Sequence, residues 1–176
     1  GGTGERFWPL SRSGMPKQLL PVGPDGLTLL ELAVGNISSL FPPENIHLAT
    51  GRLLADAVRK SGLPVFHDAV IVEPEKRNTA GCLVWAAANL LARYGGDGSD
   101  IVMGVFPADH VITEPAILRS LTNAALNAAQ HEDALVTFAV QPTRPETCDG
   151  YLELDDDSLP GAETRYGAPV FNVRRF

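Results

Sequence analysis

The chain has 176 residues, 44% of them hydrophobic and 20% charged, with a formal net charge of −7. These values carry no mark of disorder and suit one soluble globular domain with a sizeable core, while the acidic balance argues against a nucleic-acid-binding domain, which would carry a basic stripe. No apolar run reaches the roughly 18–20 residues that a membrane-spanning helix needs, and no basic segment leads into an apolar one at the start, so the expectation is a cytoplasmic protein with neither membrane nor nucleic acid as partner.

The opening stretch, GGTGERFWPLSRSGMPKQ, sets Arg6, Arg12 and Lys17 against Glu5 alone, a basic cluster in an acidic chain. Thr28 is placed to cap a helix over residues 29–41. Residues 46–50 (IHLAT) and 69–74 (AVIVEP) read as buried strands, and Asn78 caps a second long helix that runs to the paired glycines 95 and 96. Residues 101–110 (IVMGVFPADH) read as a further strand. Thr113 with Pro115 opens a helix over 116–130, and residues 134–142 (ALVTFAVQP) return to strand pattern. Strands alternating with helices predict an α/β fold with a mainly parallel sheet flanked by helices. Beyond residue 143, GYLEL and APVFNVRRF are joined by an acidic Pro/Gly-containing loop and predict an antiparallel C-terminal extension; with no linker, repeat or second core, residues 1–176 read as one domain. Cys82 and Cys148 form no CxxC pair and have no histidine beside them, so both read as plain thiols.

Open α/β sheets bind ligands beyond the carboxyl ends of their strands, and three polar stretches fall where that rule wants them. Gly1, Gly2 and Gly4 let backbone N–H groups approach an anion, with Arg6 and Lys17 as charge-assisted partners; a plain glycine-rich turn is the equal alternative. In EPEKRNTAG, Asn78 is a helix cap first, and with Arg77 and Thr79 it also offers donors to a nucleotide. In FPADH, Asp109 suits a hard cation such as Mg²⁺, although an aspartate here also serves as a simple turn residue.

Taken together, GGTGERFWPLSRSGMPKQLLPV, VEPEKRNTA, FPADHVI and TFAVQPTRPETCDGYLEL resemble, in order and separation, the sugar-phosphate nucleotidyltransferases. WPLSR and PKQ resemble specifically the mannose-1-phosphate guanylyltransferases, including the bacterial type often fused to a phosphomannose isomerase. The resemblance implies a Rossmann-like, GT-A-like fold. It also implies transfer of GMP from GTP to α-D-mannose 1-phosphate, giving GDP-mannose and pyrophosphate, with Mg²⁺ as cofactor. Residue by residue, it assigns Gly1, Gly2, Gly4, Arg6, Asn78 and Thr79 to the nucleotide, Arg6, Lys17 and Asp109 to catalysis, Asp109 to the metal, and Gly150 with Tyr151 to the sugar pocket. GTP and mannose 1-phosphate are then the partners, and a homo-oligomer is compatible with the resemblance.

Two departures stand out. The family's PSDH is PADH here, and its ETGYGY is ETCDGY, which puts Cys148 and Asp149 beside the expected sugar pocket. The resemblance further implies an apolar strand before Gly1 and a Glu-Lys-Pro block with a second metal-binding aspartate after residue 176, so the expectation is a catalytic domain represented in part. A nucleotidyltransferase for another sugar 1-phosphate, or a non-catalytic nucleotide-sugar-binding regulatory subunit, is the alternative.

Overall fold

A computed structural model describes residues 9, 16–63, 65–75, 77–155 and 164–176. They fall into two compact units, 1–115 and 116–176.

In the first unit, Thr28 starts helix α1 (Leu29–Ile37) with a complete capping box: its hydroxyl accepts from the Glu31 N–H, and the Glu31 carboxylate accepts from the Thr28 N–H. Strand β1 (Leu48–Gly51) leads through helix α2 (Arg52–Arg59) to strand β2 (Val70–Glu73), and the two strands pair in parallel with Leu48 opposite Val70 and Gly51 opposite Glu73. A parallel pair needs such a crossover, and α2 uses it to bury Ala55 and Val58, one helical turn apart, against the sheet. Leu30, Val34, Ala55, Val58 and Val70 form the core of the unit. Asn78 then caps helix α3 (Thr79–Tyr94), which ends at Gly95 with φ +73°, a conformation favourable to glycine. The Trp85 indole of α3 donates to the Val72 carbonyl at 3.0 Å, docking the helix on β2.

The expected strand over 101–110 does not form. Residues 101–107 pair with no strand among the described residues, and Val102, Met103 and Val105 are exposed. Strand preference describes a residue's fit to a pleated surface made by neighbours, and an apolar run without a ladder partner stays irregular. Phe106 nonetheless anchors the segment edge-to-face against Phe41, with ring centroids 6.1 Å apart.

Helix α4 (Pro115–Glu132), opened by proline as expected, lies in the second unit from Ala116 onward, together with the antiparallel extension. Strand β3 (Glu153–Leu154) pairs with β6 (Val173–Arg175), and β4 (Thr164–Arg165) pairs with β5 (Ala168–Pro169), both antiparallel. The strand expected over 134–142 is absent for the same reason as the first: it has no ladder partner among the described residues, and Leu135 and Val140 stand fully or almost fully exposed.

Candidate active site

Lys17 and Asp109, 92 residues apart in sequence, form an ion pair between Nζ and Oδ2. Core packing brings them together. Lys17 opens a short 3₁₀ turn (Lys17–Leu19), and Leu19 packs on the core cluster of the first unit; Ala108, directly before Asp109, packs on the same cluster. The two polar neighbours are thereby carried to one place, with side chains 20% and 32% exposed, reachable from solvent yet partly shielded from it.

The Lys17 hydrogen bond, outweighing the opposing effect of burial and helped by the Lys17 and His110 charges, holds the Asp109 carboxyl below the usual carboxylate range. His110 places Nε2 3.8 Å from the other oxygen, Oδ1. The result is a carboxylate kept ionised, with an ammonium on one oxygen and an imidazole edge near the second. Beside Lys17, the buried amide oxygen of Gln18 accepts no hydrogen bond among the described residues. A buried acceptor left in that state costs stability, so a water or ligand donor there would be favourable.

Asn78 and Thr79 lie exposed at the N-terminus of α3, beyond the carboxyl end of β2. The Asn78 side-chain oxygen accepts from the Gly81 N–H at 3.1 Å, which confirms the cap, while Arg77 is turned to Glu75 at 2.7 Å. Gly1, Gly2, Gly4 and Arg6 lie outside the described residues. Gly150 and Tyr151 belong to the second unit. The Tyr151 hydroxyl accepts from the Glu146 N–H at 2.6 Å and donates to the Glu146 carbonyl at 3.0 Å, so it closes the turn that carries Cys148 and Asp149. The Tyr151 residue also lines an open cavity of about 530 Å³ with Glu153, Arg175 and Phe176.

Sequence reasoning missed Glu73, the last residue of β2, which is only 4% exposed at the carboxyl edge of the sheet. Burial, together with the Glu73 charge, pushes the neighbouring Cys82 thiol up. A glutamate closing an apolar strand directly before Pro74 was the available signal, since a charge seldom ends such a run without a partner.

The nucleotidyl transferase family profile matches residues 1–165. The chain is 36% identical over 154 residues to the xanthan biosynthesis protein XanB of Xanthomonas campestris pv. campestris, covering 87% of this chain and 32% of that protein. It is 37% identical over 157 residues to the mannose-1-phosphate guanylyltransferase RfbM of Salmonella typhimurium, covering 86% and 31%. A crystal structure from Thermus thermophilus, titled as a mannose-1-phosphate geranyltransferase, superposes with a TM-score of 0.72 at 32% identity, covering 92% of this chain and 45% of that one. The chain thus spans about a third of the length of the curated relatives it matches.

Proposed function

The chain belongs to the nucleotidyl transferase family, and from that premise we propose that it carries part of the active site of an enzyme that transfers GMP from GTP to α-D-mannose 1-phosphate, forming GDP-mannose and pyrophosphate. The observation that carries the reading is the Lys17–Asp109 pair: a cation and an ionised carboxylate, remote in sequence, meeting beside a shared core. Relatives named as mannose-1-phosphate guanylyltransferases support the choice of substrates.

In the proposed reaction a phosphate oxygen of mannose 1-phosphate attacks the α-phosphorus of GTP. A new P–O bond forms as the bond from the α-phosphorus to the bridging oxygen breaks, and that oxygen leaves with its electron pair on pyrophosphate. The protein's part is positioning and charge neutralisation. Lys17 transfers its hydrogen bonds from Asp109 to the phosphate oxygens, where it opposes the negative charge gathering on the leaving group. Asn78 and Thr79, at the head of α3, offer donors and the positive end of a helix to the nucleotide.

Asp109 suits a magnesium ion on the chemistry of its donor. Mg²⁺ takes one or two carboxylates and completes its shell with phosphate oxygens and water. Asp109 supplies one ionised, reachable carboxylate, and no group of three or more ligating side chains lies among the described residues. When bound, the ion would add Lewis-acid neutralisation of the phosphates.

The protein expressed from its complete reading frame, given GTP, mannose 1-phosphate and Mg²⁺, is expected to release pyrophosphate and accumulate GDP-mannose, read by a coupled phosphate assay and anion-exchange chromatography. Binding of GDP-mannose without pyrophosphate release would replace this reading with that of a nucleotide-sugar sensor.

A further inference from the structure

We propose that Lys17 is the resident counterion of Asp109 and bars a divalent cation from that carboxylate until a nucleoside triphosphate draws the ammonium away. This inference rests on the reading of Asp109 as the metal carboxylate and adds a rule for when the metal can enter.

The geometry makes the two cations rivals. Lys17 Nζ lies directly on Oδ2, and the His110 imidazole faces Oδ1 at 3.8 Å, so a dication approaching Asp109 meets one oxygen occupied and the other flanked. Both paired side chains are partly shielded, at 20% and 32% exposure, so solvent screens their attraction less than it would a surface pair. An ammonium and a dication on one carboxylate also repel each other, so entry of the metal requires departure of the lysine. With no cluster of three or more ligating side chains among them, the described residues offer the ion little besides Asp109.

A triphosphate changes both sides of this competition. It gives Lys17 a polyanion with several acceptors, which is a stronger partner than one carboxylate. It also brings oxygen ligands that complete the shell of a hard cation. Nucleotide and metal therefore enter together, and Lys17 couples them: the same side chain that will neutralise the phosphates keeps the metal position closed while phosphates are absent.

The test is Mn²⁺ binding to the protein from the complete reading frame, followed by electron paramagnetic resonance without sugar phosphate, so that no turnover is involved. Mn²⁺ shares the carboxylate and phosphate preference of Mg²⁺. Without nucleotide, Lys17→Met is expected to bind Mn²⁺ about tenfold or more tightly than the wild type, as removal of a directly contacting like charge requires. Adding Asp109→Asn to Lys17→Met should abolish the gain. In the wild type a non-hydrolysable GTP analogue should raise Mn²⁺ affinity, and Lys17→Arg, which keeps the charge, should bind Mn²⁺ in the nucleotide-free state as weakly as the wild type. Equal Mn²⁺ affinity in wild type and Lys17→Met, or an affinity in the wild type that is indifferent to nucleotide, overturns the proposal. The wild-type comparison stands alone if the methionine variant does not fold. Because the readout is metal binding, a protein that gates Mn²⁺ through Lys17 yet makes no GDP-mannose would lose the proposed substrates and keep the gate.

Discussion

At Asp109 the physics of the pair becomes a pH dependence. The folded carboxyl titrates below its unfolded value, chiefly through the Lys17 hydrogen bond. The stability it contributes is therefore fully present above the unfolded carboxylate value, about 3.9, and is lost as pH falls through the lower folded value. Carboxyl-carbon NMR should find the Asp109 midpoint below the ordinary range in the wild type and moved back toward it in Lys17→Met; an unchanged midpoint would mean that the pair does not persist in solution. The two thiols offer a second contrast. Cys148 is exposed, whereas Cys82 is partly buried and pushed up by burial and by Glu73, so less of it is thiolate near neutral pH. Iodoacetamide should label Cys148 well before Cys82, and equal rates by peptide mass spectrometry would contradict the packing of Cys82 against β2.

Helix α3 combines a structural duty and a proposed functional one at the same residue. Asn78→Ala removes the acceptor for the Gly81 N–H and should cost about 1 kcal/mol in chemical denaturation. Asn78→Asp keeps a capping oxygen, so stability should hold, but it adds a negative charge where the nucleotide phosphates are proposed to approach, and GTP binding should weaken. A variant with unchanged nucleotide affinity would leave Asn78 as a cap alone. Gly81 also limits change here, because a Cβ at that position would lie 2.6 Å from the Arg77 Cβ. The caps at Thr28 and Asn78 and the opening proline at 115 were legible in sequence because each acts within one helical turn of itself. Helix α2 was not, since Gly51 caps it without a side-chain bond and, among the described residues, Ala55 and Val58 are the buried side chains of its face. The strands expected at 101–110 and 134–142 failed on the opposite count: their composition is local, but a ladder needs a second chain segment. Lys17 and Asp109 could each be chosen for their chemistry, while their meeting depends on Leu19 and Ala108 finding one core, which no local pattern encodes.

On the scale of the whole chain, the described residues carry a parallel strand pair, two small antiparallel pairs and long stretches of apolar surface. Leu135, Phe138 and Val140 in one irregular segment and Val102, Met103 and Val105 in another are exposed apolar residues in series, beyond the scattered single residues normal on a protein surface. The isolated 176-residue polypeptide is therefore expected to bind the dye ANS with a strong rise in fluorescence. A flat response would mean that these segments find cover in solution. No helix among the described residues is long and apolar enough to cross a membrane.

The ion pair also has a place in time. Ribosomes build chains from the N-terminus at about 5–20 residues per second, so the 92-residue separation of Lys17 and Asp109 represents roughly 5–20 s of synthesis during which the lysine exists and its carboxylate does not. Residues 1–108 are close to neutral, with nine Lys or Arg residues against ten Asp or Glu, whereas residues 109–176 supply five against eleven. Lys17 therefore waits within a stretch of almost no net charge, and residues 109–176, which begin at the residue that pairs with it, are firmly anionic.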